Sequence, residues 1–377
     1  MKKLNHFFLI ILTLAGMLGC QKDPLGPDDI KSNVKLLNID TLEQKILAAY
    51  TGKSVGMQYM IAQNGILVKQ NAIGMARLDV NYPAMEYTTT HRNGVHSVSK
   101  TLTAIGLVSV LEEYNISIDD WIYPYLPSDW YVHDEVFNIT FRELLTHMSG
   151  LRGTEDTYAE MKDYMCDSTF GTKTYSYANI NFTLCRIIIP FIVAHEDMEY
   201  YILSGHADEL PLVTANIYIE EMRNRVFIPA QIDPDIDMKI WDQDMAGGDA
   251  HAVCCYDYTN QAVAGSPHPD CTLIGGAGGW YMNSAELGSV LSYFFAGLLP
   301  GVDADLLIDN QLGMYDITLS GHRLFTHNGG SNSSLAVWMH VEKEDVDIVF
   351  MFNSDKNDFD FGQIEEDVMQ MYDESFL

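Results

Sequence analysis

Three short motifs stand in order along this chain: Ser97-Val98-Ser99-Lys100, then Tyr177-Ala178-Asn179, then His327-Asn328-Gly329-Gly330. A serine hydroxyl is a weak nucleophile near neutral pH and needs a base within hydrogen-bonding reach. At i and i+3 of a helix, Ser97 and Lys100 face the same way, one turn apart. If that helix starts at Ser97, its N-terminal partial charge favours an alkoxide there and disfavours the ammonium form of Lys100. A desolvated lysine of this kind takes the serine's proton. Tyr177 then offers a second proton carrier between Ser97 and a leaving group. Asn179 is expected to hydrogen-bond a substrate amide or to hold Lys100. The segment after His327 is expected on or just before an edge strand lining a cleft. There Gly329 and Gly330 let a substrate approach the backbone, and main-chain N–H groups near Gly330 and at Ser97 form an oxyanion hole. His327 is expected to add a hydrogen bond or a positive charge. These are the parts for acyl transfer from a serine without a histidine–aspartate relay.

The first two motifs each have a rival, and context separates them. Roughly one chance Ser-x-x-Lys is expected in a chain of this composition. Ser32-Asn33-Val34-Lys35 is such a match, but no buried helix follows it. Residues 100–111 are apolar nearly all round (Leu102, Ile105, Leu107, Val108, Val110, Leu111), which predicts a buried helix behind Ser97. Tyr258-Thr259-Asn260 competes with Tyr177-Ala178-Asn179. Gly52-Lys53-Ser54-Val55-Gly56 matches a nucleophile elbow, yet a helix precedes it and a strand follows, the reverse of what that turn requires. Neither His-Glu-x-x-His nor His-x-His-x-Asp occurs, so no metallohydrolase motif is present.

The start of the chain reads as a targeting segment, residues 1–19. Lys2 and Lys3 precede an apolar run over residues 7–18 that is too short to span a bilayer. Met17-Leu18-Gly19-Cys20 resembles a bacterial lipobox, which makes Cys20 the expected site of lipidation and a membrane anchor in the cell envelope, at the outer membrane and facing either the periplasm or the surface. Residues 20–40, with Pro24, Gly26 and Pro27, read as a flexible tether. Net charge is −30, and about −32 once Lys2 and Lys3 are removed. Such a surface repels nucleic acid, which is excluded as a partner. Five cysteines remain beyond Cys20. Outside the cytoplasm, Cys166–Cys185 or one of Cys254 and Cys255 with Cys271 could close. The spacing of Cys254, Cys255, His268 and Cys271 matches no common zinc finger, and neither metal nor organic cofactor is implied.

The elements that must position these groups follow from patterning. A short amphipathic helix is expected over residues 41–50. Strands are expected over 54–62 and 66–73, joined at Gln63-Asn64-Gly65. Thr140-Phe141-Arg142-Glu143 has capping-box spacing for a helix running to Ser149-Gly150. Another helix is expected over 285–296, capped by Asn283 or Ser284, then strands over 323–326, 335–341 and 346–352, and a last helix over 363–372. Strands at both ends with helices between predict one α/β (α+β) domain over 41–377. Its antiparallel sheet lobe would hold 41–112 and 286–377, with a mainly helical lobe, 113–285, inserted.

Taken together, these segments resemble the serine β-lactamase and penicillin-binding superfamily, in its class C-like branch with D-Ala-D-Ala carboxypeptidases, D-aminopeptidases and carboxylesterases. His96-Ser97-Val98-Ser99-Lys100-Thr101-Leu102 resembles the nucleophile helix, and Ile139-Thr140-Phe141-Arg142-Glu143-Leu144-Leu145-Thr146-His147-Met148-Ser149-Gly150-Leu151 its scaffold segment. Tyr175-Ser176-Tyr177-Ala178-Asn179 resembles the tyrosine motif, favouring Tyr177 over Tyr258, and Gly275-Gly276-Ala277-Gly278-Gly279-Trp280 a further block. The resemblance implies a β-lactamase/transpeptidase-like fold and hydrolysis of an amide or ester through an acyl-enzyme, on a small-molecule or peptide substrate. Three departures stand out. Ala178 and Asn181 replace the usual serine and glycine, and Ser333 replaces a glycine. Residues 191–214 and 250–271 diverge. His327-Asn328-Gly329 stands where most β-lactamases have Lys-Thr-Gly, which removes a fixed cation. The alternative implied is a protein of the same fold that binds cell-wall fragments without turnover.

Overall fold

The computed structural model describes residues 36–167, 170–239, 253–331, 333–354 and 361–377; the expected signal segment and Cys20 lie outside them. Helix α1 (Ile39–Tyr50) starts at Asn38, whose side chain accepts the Thr41 N–H. Strands β1 (Gly56–Gln63) and β2 (Ile66–Arg77) form the expected hairpin. Asn64 and Gly65 at its turn both take the positive φ that such a tight reversal needs. Two short strands, β3 (Met85–Glu86) and β4 (Asn93–Gly94), lead to α2 (Ser99–Glu113). Then come α3 (Phe141–Leu145), α4 (Tyr158–Asp167), α5 (Ile180–Thr183), α6 (Cys185–Val193), α7 (His195–Leu203) and α8 (Leu210–Met222). The chain returns through β5 (Tyr281–Met282), α9 (Ser284–Phe295), α10 (Ala304–Asn310), β6 (Tyr315–Leu319), β7 (His322–Ser331), β8 (Ser334–Val341), β9 (Val346–Phe352) and α11 (Phe361–Asp373).

The main sheet runs β3-β2-β1-β9-β8-β7-β6, antiparallel throughout, so strands from the two ends of the chain meet where β1 pairs with β9. Alternation along each strand sends neighbouring side chains to opposite faces. Met57, Tyr59, Ile61, Val337 and Phe350 join Ile46 of α1 and Val368 of α11 on one side. Met60, Ala336, Trp338 and Met351 pack on the other with Leu291 of α9 and the large helical core. Both faces are covered, which is why β8 and β9 are buried along their whole length. Helix α2 runs through the larger core, and every residue from Ser99 to Leu111 is buried, as its all-round apolar pattern requires.

Local detail departs from the sequence reading in three places. The helix capped by Thr140 ends at Leu145 rather than at Ser149-Gly150, because His147 turns to a φ of 56° and breaks the helical path. Strand β6 was not anticipated. No disulfide joins Cys166, Cys185, Cys254, Cys255 and Cys271, so neither expected bridge forms. Cys185 is buried on α6 and donates to the Asn181 carbonyl at 3.4 Å, and Cys254 packs against Val55 and Tyr256, away from Cys271. The divergent residues 191–214 are largely helix, in α7 and the start of α8. The second divergent stretch touches the sheet, where the Cys254 N–H donates to Ala76 and that of Tyr256 to Asn353.

Both capping boxes are complete, Thr140 with Glu143 and Asn283 with Glu286. Thr140→Ala should therefore cost about 1 kcal/mol of stability, read as a lower urea midpoint, while Thr140→Ser stays close to the parent.

Candidate active site

The nucleophile candidate sits where β4 gives way to α2. Val95 donates its N–H to the Trp280 carbonyl at 2.9 Å, and His96 adopts a φ of 48° to begin a single 3₁₀ turn, His96–Val98. That turn places Ser97 at the head of α2 and Lys100 one turn further in, fully buried. Lys100 Nζ lies 3.0 Å from Ser97 Oγ and donates to the Ala277 carbonyl at 2.9 Å. Its other near neighbours are aromatic faces, with Tyr177 and Phe182 ring centres at 4.8 and 6.0 Å. Burial without a carboxylate partner pushes the amine down from its usual 10.5 to about 7.

Tyr177 approaches Ser97 from the helical side; burial pushes its phenol up, and the serine beside it pulls less strongly the other way, so that it lies at about 12 and stays protonated. Its ring lies on His147, 4.4 Å between centroids. His147 Nδ1 accepts the Ala178 N–H at 3.2 Å and lies 3.3 Å from Asn181 Nδ2, while Ser149 Oγ donates to Asn181 Oδ1. The segment that looked like mere scaffold in the sequence thus grips the loop carrying Tyr177. Asn181, a departure from the family pattern, is a buried tie in that grip.

The third motif lies on β7, one strand in from the edge. However, β6 pairs with β7 only as far as Thr326, so residues 327–331 run on without a partner on that side. Gly329 packs directly against the nucleophile turn: a Cβ there would stand 2.5 Å from the Ser97 nitrogen and 2.7 Å from the Val95 carbonyl. Ser97, Asn179 and Gly330 line one cavity of about 190 Å³ together with Asp156, His268 and Cys271.

The sequence allows His327 and Asn179 two roles each, and one role of each is not found. His327 supplies no positive charge: burial, then the nearby Lys100 amine, push its pKa down to about 3, and its Nδ1 sits 2.6 Å from the Asn328 carbonyl. Asn179 does not hold Lys100, whose bonds go to Ser97 and Ala277; its Oδ1 is buried and without a partner. The Ala277 carbonyl was missed by sequence reasoning, although the glycine-rich run around it was visible. Asp156, His268 and Cys271 carried no signal in the sequence that would place them here.

The family model for Beta-lactamase matches residues 39–190, a span that holds Ser97, Lys100 and Tyr177. The D-amino acid amidase from Ochrobactrum anthropi SV3, solved with L-phenylalanine amide, superposes with a TM-score of 0.68 at 17% identity, covering 89% of this chain and 99% of that one. The chain has the β-lactamase/transpeptidase-like fold of this structure, and its residues 39–190 match the Beta-lactamase family model. FmtA from Staphylococcus aureus gives 0.64 at 16% identity over 90% and 92% of the two chains. A class C β-lactamase from Rhodobacter sphaeroides gives 0.62 at 14% over 89% and 99%. No curated protein sequence matches this chain.

The packing at Gly329 makes a direct prediction. Gly329→Ala forces its methyl into backbone atoms of the turn that carries Ser97 and should cost about 1–3 kcal/mol. Thermal unfolding should read that loss, whereas Gly278→Ala, whose added methyl meets only the His96 backbone at an ordinary 3.7 Å, should cost less.

Proposed function

We propose that this protein is a serine hydrolase that cleaves an amide or ester through an acyl-enzyme. The observation that carries the reading is the buried Lys100 amine, 3.0 Å from Ser97 Oγ and drawn down to about 7 with no acidic partner. Neutral Lys100 accepts the Ser97 proton as Oγ bonds to the substrate carbonyl carbon, and the carbonyl electron pair moves onto oxygen. Main-chain N–H groups of Ser97 and Gly330 receive that oxyanion. Tyr177 relays the proton to the leaving nitrogen or oxygen as the C–N or C–O bond breaks. Water then attacks the ester on Ser97 by the reverse relay, releasing the acid and restoring the hydroxyl. Asn179 Oδ1, an acceptor in need of a donor, suits a substrate N–H.

The substrate should lack a carboxylate beside the scissile bond. Among the described residues no lysine or arginine lines the cavity, and burial holds His327 neutral, so none of them offers a fixed cation there. A small acyl amide or ester fits better than a peptide ending in a free carboxylate or a β-lactam bearing one. The relation in fold to a D-amino acid amidase supports amides. We propose further that Cys20 carries a lipid and that the tether holds the domain at the cell envelope.

A fluorophosphonate probe should label the protein at Ser97, and Ser97→Ala should abolish the adduct in intact-mass measurement. A folded protein that no acylating or phosphonylating probe modifies contradicts the proposal. The labelling rate should rise about tenfold per pH unit below a midpoint near 7 and then level, because Lys100 serves as base only once deprotonated. A rate flat from pH 5 to 9 would remove Lys100 from that role.

A further inference from the structure

One buried imidazole beside the nucleophile takes no part in the proton path. His96 Nε2 lies 2.6 Å from Ser334 Oγ, and Ser334 Oγ lies 3.3 Å from Ser331 Oγ. Ser331 and Ser334 are the last paired residues of β7 and β8, one step beyond Gly330. The other face of the imidazole meets His268 edge-on, 4.6 Å between centroids, in the divergent segment that walls the cavity. His96 is also the residue whose positive φ launches the turn presenting Ser97, a conformation uncommon outside glycine and best tolerated by asparagine, aspartate and histidine. The turn is thus fixed to β7 and β8 twice, by the backbone contact at Gly329 and by the His96–Ser334 bond.

We infer that His96 is a positioning residue: through Ser334 it sets the separation between the Ser97 and Gly330 N–H groups that receive the oxyanion. The assignment rests on the acyl-enzyme reading above. His96 touches neither the proton in flight nor the reacting carbon. Its imidazole is neutral, held down to about 3 by burial and by His268, so it contributes geometry and not charge. Two hydrogen-bond donors must point at the place where negative charge develops, and displacement of either by about 1 Å can cost on the order of a hundredfold in rate. The bond ties the divergent wall of the cavity to the nucleophile turn.

The test uses the labelling rate of Ser97 by a fluorophosphonate, which reads the oxyanion hole without knowledge of the substrate. His96→Asn tolerates the positive φ but is too short to reach Ser334, whereas the His96→Gln amide ends near the position of Nε2. His96→Asn and Ser334→Ala should each slow labelling about 30- to 100-fold. The double variant should be no slower than either single one, and His96→Gln should stay within about fivefold of the parent. The pH midpoint near 7 should not move, since the surroundings of Lys100 are unchanged. Parent-like labelling of His96→Asn overturns the inference, as do multiplying effects in the double variant or a rate loss that follows only the unfolded fraction at the assay temperature. If the parent itself is never labelled, the hydrolase reading fails and this assignment falls with it. If the parent is labelled and His96→Asn equals it, only the assignment fails.

Discussion

Much of this architecture serves one constraint: the amine of Lys100 must stay out of water while touching Ser97. An ammonium in such a place loses its hydration, and without an adjacent carboxylate the neutral form is favoured instead. Helix α2 makes this possible because it is apolar on all sides and wrapped by other elements over its first thirteen residues, Ser99 to Leu111. The position at its N-terminus adds to the effect, since the positive end of the helix opposes a cation and supports an alkoxide at Ser97. The Ala277 carbonyl satisfies the amine without charging it. A glutamate or aspartate in place of that carbonyl would hold the lysine protonated and bar it from the base role proposed for it.

The sheet and the helical elements meet around this point, each supplying a different part. From the sheet comes β7, which outruns β6 at Thr326 and so leaves residues 327–331 with a free edge toward Ser97. From the helical side comes the loop with Tyr177, fastened by His147, Ser149 and Asn181. The imidazoles at positions 96, 147, 268 and 327 are all pushed well below the usual histidine range, with burial as the leading cause. The site is therefore built of neutral rings around a neutral amine, which agrees with a substrate that brings no carboxylate of its own.

Much of this was legible in the residues. The hairpin at Gln63-Asn64-Gly65, the capping box at Thr140, a helix cap at Asn283 or Ser284, and the all-round apolar α2 are local signals, and local signals survive folding. The pairing of Ser97 with Lys100 follows from helical spacing alone. What was hidden depends on tertiary contact. Strand β6 alternates Tyr315, Ile317 and Leu319 with Asp316 and Thr318, but five residues are too few to separate from a loop. The charge on His327 is decided by burial and by Lys100, neither visible in a motif. No bridge forms because tertiary placement, not sequence spacing, decides whether thiols can meet. The Ala277 carbonyl has no side-chain signature at all.

The claim beneath the mechanism is that Lys100 is uncharged at neutral pH, and its amine can be titrated directly. With ¹³C placed at the lysine ε-carbons, and the Lys100 resonance assigned by its loss in Lys100→Arg, the shift can be followed from pH 5 to 11. The account predicts a midpoint near 7 for this one lysine. A Lys100 resonance that titrates near 10.5, with the exposed lysines, would contradict it.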